Sequence, residues 1–454
     1  MSPGSELFDA SFRLPVEESD VRYSRLPDLV LLDSMAYMVD VHNETTARVM
    51  VDGLHIQVSF TIAEPPRLSY CCVFCLDSIE NPFDCVPRII SSVEDLVLIE
   101  VKLTTGIRQW FVYKAWAEPS LHVLQDLCLY SQKKYMAEAY GLMYHDHGLV
   151  LAALSYVKGQ YNIHIFHSWQ SNWTQELLEV DYGGTMKAKP INPTYVIDLG
   201  DGKLGWVDLW VGILICDVRA LASGKSTVSR FIPLPKPLPR NQELYLVHEL
   251  PRPIRNVTFS NGQVKCVELE KLVKLIPKAA PVVHDPSDKL VLYDSEPPID
   301  PDQEEEDDEY EVVGWRLVTW FRELTWDHWR RGSMVHSDEL GPISLPQPGG
   351  GLACAVDSVK DVQMCYPIMR GDDVVYLLSM QDKWDQTAWI APVDTKSKSV
   401  SKPMAFSAHR YFLLNPTHIP CVLTKYLYTK PDAPPPHKTA MGTLRRGSDL
   451  TEEQ

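Results

Sequence analysis

Residues 194–234, TYVIDLGDGKLGWVDLWVGILICDVRALASGKSTVSRFIPL, decide the fold. Four short apolar runs (194–199, 205–210, 212–218 and 229–234) are separated by turn residues. Asp201-Gly202 suits a tight hairpin, because Gly tolerates positive φ and an Asp side chain can bond its own backbone. The stretch therefore predicts a four-stranded antiparallel sheet, which needs further units to bury its faces.

Similar groups of β-branched and aromatic residues occur on both sides of this stretch. The predicted strands lie within residues 27–40, 52–64, 69–75, 95–101, 107–116, 120–125, 148–157, 161–169, 173–180, 256–259, 264–269, 312–322, 373–380, 387–394 and 399–406. Asn261-Gly262 is a second strong hairpin turn. Residues 127–138 are predicted to be one short helix or an irregular loop. The chain is therefore predicted to be all-β.

Five to seven such units, repeating roughly every fifty to sixty residues, favour a β-propeller-like array of small antiparallel sheets. The alternative is two β-sandwich lobes, the first ending near residue 294. If the array is a propeller, a strand near Leu29 is expected to pair with the last sheet unit and close the ring.

From its composition the chain is predicted to contain one folded domain and several polar segments outside it. Residues 1–25 and 431–454 are predicted to be disordered, while residues 26–296 and 311–430 supply sheet units of the same domain. Between them lies the acidic segment 297–310, PPIDPDQEEEDDEY. Such a block repels itself and cannot fold. It is interpreted as a solvated loop, with engagement of a basic partner as the alternative.

Sixty acidic residues oppose 43 basic ones, and the net charge is -17. This balance disfavours the phosphate contacts that dominate nucleic-acid affinity, so neither nucleic acid nor an anionic membrane is expected as a partner. No apolar run has the roughly twenty residues needed to span a bilayer. The first twenty residues lack a secretory leader, so an intracellular location, cytoplasmic or nuclear, is expected.

Ten cysteines are expected to be free thiols in a reducing compartment. Cys71, Cys72 and Cys75 form a Cys-x-x-Cys with an extra thiol, and Cys85 follows. Structural zinc needs four ligands, usually in two close pairs. Because a second pair is missing, these residues are interpreted as buried strand cysteines.

The histidines give no metal or catalytic motif. His145 and His147 could share one face of a strand or lie in the turn before Gly148. His164 and His167 are three apart on a predicted strand, so they should point to opposite faces. Neither pair has the third ligand of a catalytic metal site.

Two other features imitate catalytic motifs without completing them. Residues 224–226, Gly-Lys-Ser, resemble the end of a phosphate-binding loop. Arg219 stands where the first Gly is required, and a strand rather than a helix is predicted to follow. No Gly-x-Ser-x-Gly elbow is present in the sequence. No catalytic, cofactor-binding or metal-binding residue is therefore assigned.

Trp206 and Trp210 are expected to share a face and to fill the space between blades. Asp208 and Asp217 are expected to bond backbone groups of a turn or a neighbouring strand rather than to catalyse.

The chain resembles DUF1618, a plant family of unknown function. The resemblance is carried by VLLDSMAYMVDVHNETTA from Val30, PPRLSYCCVFC from Pro65, DLVL from Asp95, GWVDLWVGILICDV from Gly205, IPLP from Ile232 and GWRLVTW from Gly314. It implies no established activity, cofactor or catalytic residue. It also suggests kinship with propellers that follow F-box segments, although the sequence after Leu26-Pro27-Asp28 is strand-like and lacks an F-box.

These observations favour a non-enzymatic protein-interaction scaffold whose partner is a protein. One alternative is a small-ligand binder or enzyme that uses the central channel. Another is an F-box-like substrate-recognition module lacking its own F-box, which would need a separate adaptor.

Overall fold

The computed structural model describes residues 8–15, 26–78, 81–116, 118–124, 136–184, 189–247, 249–275, 310–341, 343–345, 354–356, 363–369, 371–380, 387–408, 410 and 418–427. These residues form six small sheets arranged in a ring, a six-bladed β-propeller. The predicted propeller is confirmed, and the two-sandwich alternative is wrong.

The strands are numbered along the chain and grouped by blade. Blade I contains β1 (Val30–Asp33), β2 (Ala47–Val51), β3 (Leu54–Thr61) and β4 (Leu68–Cys75); blade II contains β5 (Arg88–Val93), β6 (Leu96–Lys102), β7 (Arg108–Lys114) and β8 (Ser120–Leu124); blade III contains β9 (Met136–His145), β10 (Gly148–Val157), β11 (Gln160–His167) and β12 (Asn172–Leu177). Blade IV contains β13 (Glu179–Asp181), β14 (Tyr195–Asp198), β15 (Lys203–Asp208), β16 (Gly212–Asp217) and β17 (Val228–Pro233).

Blade V contains β18 (Arg255–Ser260), β19 (Gln263–Leu275), β20 (Tyr310–Glu323) and β21 (Arg330–His336); β22 (Ile343–Leu345) and β23 (Cys354–Val356) pair separately; blade VI contains β24 (Gln363–Met369), β25 (Val374–Met380), β26 (Thr387–Asp394), β27 (Ser399–Val400) and β28 (Met404–Ser407); the last strand, β29 (His418–Cys421), joins blade I. Helical residues 8–10, two short helices, α1 (Val218–Ala222) and α2 (Asn241–Leu246), and 3-10 turns at Ser337–Glu339 and Leu423–Lys425 complete the described elements.

Packing between blades explains why the middle strands read as continuous apolar runs. In β4, Val73 packs into the cluster shared with blade II, whereas its neighbour Cys72 packs into the cluster shared with blade VI. Six such clusters fill the spaces between adjacent blades around the ring. Each sheet is thus buried on both faces, as radial packing requires.

The opening stretch folds as predicted. Strands β14 to β17 form its four-stranded meander, and φ is positive at both Asp201 and Gly202. Two successive positive φ angles match the twist of a tight hairpin. Asn261-Gly262 has the same geometry between β18 and β19. Both predicted hairpin turns are therefore confirmed.

Strand β1 closes the ring inside blade I. It lies between β4, to which it is parallel, and the last strand β29, to which it is antiparallel. The prediction that a strand near Leu29 would pair with the last sheet unit was therefore wrong in its partner. The sheet of residues 363–407 packs face to face against blade I instead, through an apolar cluster.

A buried polar group accompanies this closure. Asp33 of β1 lies opposite His418 of β29, and the Arg410 guanidinium lies 3.5 Å from the Asp33 carboxylate. The same guanidinium donates to the Ala36 carbonyl and lies 3.8 Å from the centroid of the Tyr37 ring. Burial lowers the pKa of His418 to about 4, although Asp33 opposes the shift.

This lowered pKa predicts an acid-sensitive closure. Between pH 6.5 and 4 the unfolded chain binds a proton at His418 that the folded chain does not, so this contribution to stability is present above pH 6.5 and lost as the pH falls. From pH 7 to 4.5 the wild type should lose about 2 kcal/mol more unfolding free energy than His418→Gln. Urea unfolding at both pH values measures this difference. The exposed His147→Gln is the control, and equal losses in all three proteins would contradict the prediction.

Three other expectations concern segments outside the sheets. Residues 125–135 lie outside the described part, and Met136 to Glu138 are strand, so a helix reaching residue 138 was wrong. The acidic segment 297–310 lies outside it except for Tyr310, and residues 276–309 connect β19 to β20. None of the helices in the described part of the chain is long and apolar enough to cross a membrane.

Candidate functional site

The propeller encloses a central channel. Its cavity has a volume of about 470 Å³, within the roughly 300–1,000 Å³ common for ligand pockets. All six blades contribute to its wall, mainly through the innermost strands β5, β14, β18, β24 and β29, with Ala139 of β9. The channel is therefore the concave site that the fold itself creates.

The innermost strands run in the same direction. From each of β5, β9, β14, β18 and β24 the chain moves outward through neighbouring strands that alternate in direction. After four strands the chain is back at the end of the blade where the innermost strand started, so the next innermost strand starts at that same end. Two hydrogen bonds confirm that β24 and β18 run in the same direction. The Tyr366 amide donates to the Pro253 carbonyl, and three residues later in both segments the Met369 amide donates to the Asn256 side-chain oxygen. The starts of these strands thus form one mouth of the channel, and their ends form the other.

The mouth at the strand starts is cationic. Arg88 begins β5, and Arg252 precedes β18. The Glu100 carboxylate is shared by Arg88, at 2.7 Å, and Arg108, at 2.9 Å. One carboxylate thus contacts two guanidinium groups at this mouth.

Aromatic side chains fix the position of Arg252. Its Nη2 donates to the Thr194 carbonyl at 2.6 Å, and its guanidinium carbon lies 5.7 Å from the centroid of the Tyr195 ring. The Tyr195 hydroxyl donates to the Val257 carbonyl and accepts from the Val257 amide, which ties β14 to β18. Burial raises the pKa of Tyr366 to about 12 despite nearby Arg252, so this phenol stays protonated.

The opposite mouth is acidic, and the wall between the two is largely apolar. Glu94 follows β5 and Asp198 ends β14, where its carboxylate caps the turn by accepting from the Gly200 amide. Between the mouths the wall includes Val196 and Ile368. The sign of the charged side chains therefore changes from positive at one mouth of the channel to negative at the other.

A second candidate site is the 238–250 segment, which joins β17 to β18. Its start is held by buried Glu268, whose Oε1 accepts from the Leu238 amide at 2.8 Å and from Asn241 Nδ2 at 2.7 Å. Glu268 is paired at 3.4 Å with Arg255, and both side chains have no solvent exposure. Burial raises the pKa of Glu268, and Arg255 opposes that shift.

The other end of the 238–250 segment is also fastened. The Trp210 indole N–H donates to the Glu249 carbonyl at 2.8 Å, and the Trp210 ring contacts that of Tyr245. Between these anchors, Leu246, Val247 and Leu250 are 72%, 68% and 57% exposed. Three apolar side chains within five residues are thus presented to solvent by an anchored segment.

The cysteines of the Cys-x-x-Cys lie in β4 as buried free thiols, as interpreted from the sequence. Cys85 is instead exposed in a bend between strands, so the interpretation as a buried strand cysteine was wrong for this residue. Cys71 and Cys75 pack toward blade II, whereas Cys72 packs on the opposite face. Burial raises the pKa of Cys72 to about 12, so this residue is a neutral thiol. The described residues contain no group of three His, Cys, Asp or Glu side chains placed to hold a metal.

The histidines serve the packing of blade III. His145 ends β9 and stacks on Trp169 with ring centroids 4.9 Å apart, while His147 lies in the turn. The buried pair His164 and His167 contacts different partners, Ser155 and Thr174, across neighbouring strands.

The remaining sequence features of blade IV are structural. Residues 224–226 lie in a loop between α1 and β17, as predicted. Asp208 accepts from the amides of residues 192, 210 and 211, and Asp217 caps α1 by accepting from Ala220, which confirms their backbone roles. The shared face for Trp206 and Trp210 was wrong, because Trp206 is buried between blades III and IV whereas Trp210 lies in a turn.

Sequence reasoning named the central channel only as an alternative and identified none of its lining residues, and it missed the 238–250 segment. The cationic mouth joins Arg88 to Arg252 across the ring, and no local pattern reports that meeting. The 238–250 segment does carry a signal, because its apolar run 244–247 lies in a connection bounded by Pro239 and Pro251. Apolar residues in such a non-strand connection are less able to reach a core between sheets.

The comparisons with known proteins add a family and a weak structural likeness. The profile of a family described as "Protein of unknown function (DUF1618)" matches residues 206–376. No curated protein matches the chain. Among solved structures, the Bombyx mori GH32 beta-fructofuranosidase BmSUC1 is 10% identical over 89% of this chain and 88% of that chain, with a TM-score of 0.26. At that TM-score the likeness carries no argument about function.

Proposed function

The chain belongs to the DUF1618 family of proteins of unknown function, and from its propeller fold we propose that it is a non-enzymatic scaffold that binds other proteins. The observation that carries this proposal is the exposed group Leu246, Val247 and Leu250 on the anchored 238–250 segment. Because contacts of Glu268 and Trp210 fasten both ends of the segment, its backbone loses little further entropy on binding, and the segment is preorganised for a partner.

The charge around this group defines the partner. Glu243 and Glu249 are exposed beside the apolar side chains, although Glu243 is paired with Arg240 at 3.1 Å, and the whole chain carries a net charge of -17. The complementary surface is an apolar patch bordered by Lys or Arg side chains, which would also accelerate association. A second copy of this chain is disfavoured because two acidic rims would face each other.

Replacing Leu246 and Val247 together by Asp should abolish partner capture. The change removes the apolar contact and adds repulsion to the acidic rim. Cell extract passed over immobilised full-length protein, with quantitative mass spectrometry, should return a stoichiometric partner whose amount falls at least tenfold with the variant. Raising the salt concentration should weaken capture by wild type, because rim charges are screened.

Matched controls distinguish binding at this segment from non-specific binding by other exposed apolar side chains. Leu177 and Val228 are 59% and 58% exposed on blades III and IV, and their Asp variants should retain the partner. Equal loss with all variants, or a partner retained by the double variant, would contradict the proposal. Analytical ultracentrifugation of the protein alone would reveal self-association on this segment, which would also contradict it.

A second candidate function is binding of a small ligand in the central channel. The cavity and the opposite charges at its two mouths favour it.

A further inference from the structure

We propose that the central channel binds a small amphipathic anion, with its carboxylate at the cationic mouth and its apolar body between the inner strands. This goes beyond the protein-binding scaffold, since it concerns a different surface and a different class of ligand. Three independent features of the described residues carry it.

The first feature is the charge at the mouth. Arg252 is held by the Thr194 carbonyl and the Tyr195 ring, so its cationic group occupies a fixed place beside the cavity. Arg88 adds a second guanidinium on the opposite side of the ring, at 44% exposure. Fixed guanidinium groups are well suited to carboxylates, whose two oxygens match the planar fork of donors.

The second feature is the wall behind the mouth. Val196, Val257 and Ile368 come from three successive blades and line the same cavity. The partly buried hydroxyl groups of Ser91 and Thr258 lie among them on β5 and β18. Apolar walls with a few placed polar groups are typical of small-molecule pockets, which take most of their affinity from buried apolar area.

The third feature is the direction of the field. Glu94 and Asp198 lie at the far mouth, so an anion is attracted from one side and repelled from the other. A neutral or cationic molecule of the same shape lacks this preference for the Arg252 end. Specificity for an anion therefore follows from the placement of charges along the channel axis.

Calorimetric titration of the full-length protein tests the proposal with three probes of similar size, cinnamate, its isostere cinnamamide and the cation cinnamylamine, and with octanoate as an aliphatic anion. At least one of the two anions should bind at one site, and cinnamamide and cinnamylamine should bind at least about tenfold more weakly than cinnamate, because each lacks the carboxylate. Arg252→Gln should weaken anion binding at least tenfold, whereas Arg252→Lys should retain part of it.

Two variants fill the channel from different blades. Thr258→Trp and Ser91→Trp should each abolish anion binding, while Arg331→Gln on the outer strand β21 and Leu246→Asp should leave it unchanged. Thermal melting identifies any variant that fails to fold. If one of the two Trp variants is unfolded, anion binding by the other Trp variant tests the proposal. Equal binding of the three probes of similar size, binding that survives a folded plugging variant, or no saturable binding of either anion at millimolar concentration would overturn the proposal.

Discussion

Removing residues 1–35 is expected to cost roughly 6 kcal/mol of unfolding free energy. The deletion takes away β1, whose Val30, Leu31 and Leu32 are completely buried, and each buried aliphatic side chain contributes roughly 1.5–3 kcal/mol. It also leaves β4 and β29 without the strand between them. Since whole domains are stable by only about 5–15 kcal/mol, the ring should melt far below the wild-type temperature.

Circular dichroism melting measures this effect against a shorter deletion. Removing residues 1–7 retains β1 and also Ser11, whose carbonyl accepts from the Met38 amide, and should change the melting temperature little. Should the long deletion fail to fold, Leu31→Ala and Leu32→Ala replace it, because these residues pack into different clusters on the two faces of blade I. Each should cost about 2–5 kcal/mol. An unchanged melting temperature after deletion of residues 1–35 would show that β1 does not seal the ring.

Replacing Arg255 by Met is expected to cost about 3–5 kcal/mol, because it leaves the Glu268 carboxylate buried without its cation. The change also removes donors to the carbonyls of Leu209, at 2.9 Å, and Pro235, at 2.6 Å. Urea unfolding measures the loss, with Arg331→Met on the exposed face of β21 as the matched control. Because Glu268 holds the start of the 238–250 segment, Arg255→Met should also weaken partner capture.

A double variant and a pH series identify the cause. Arg255→Met with Glu268→Gln should be more stable than Arg255→Met alone, since no uncompensated charge remains buried. Burial already raises the pKa of Glu268, so the folded state binds a proton there more readily than the unfolded state. That contribution is present below the unfolded pKa and lost as pH rises through the folded pKa, so the deficit of Arg255→Met should shrink in acid. Additive costs and a deficit independent of pH would exclude this account.

The sequence predicts the middle of each blade far better than its inner edge. Strands such as β6, β10 and β16 are buried on both faces, and they stand out as continuous apolar runs. The inner strands β5, with RIISSV, and β24, with QMCYPIM, were missed. The inner strands β14 and β18 were predicted because a Gly-containing hairpin turn follows each of them, whereas the side chains of β5 and β24 have mixed surroundings that neither a period of two nor an apolar run marks.

The same physics hides the candidate sites from the sequence. Asp208 and Asp217 could be assigned to backbone roles because the groups they cap lie mainly in nearby turns. Arg88 and Arg252 approach one channel only after the ring has formed, and nothing near either residue indicates the other. Hydrogen bonds between residues close in sequence can therefore be predicted from the sequence, whereas a site assembled from distant residues by closure of the ring cannot.

The pairing of β1 with β29 has a consequence for how the protein is made. The Arg410 guanidinium reaches the Ala36 carbonyl over a separation of 374 residues, so the ribosome needs roughly 20–75 s of further synthesis before it can deliver that partner. During this time β1 can pair with β4 but presents an open edge to other nascent chains. Blade I is thus the first sheet to be translated and the last to be completed, and a chaperone acting on this protein would find its substrate there.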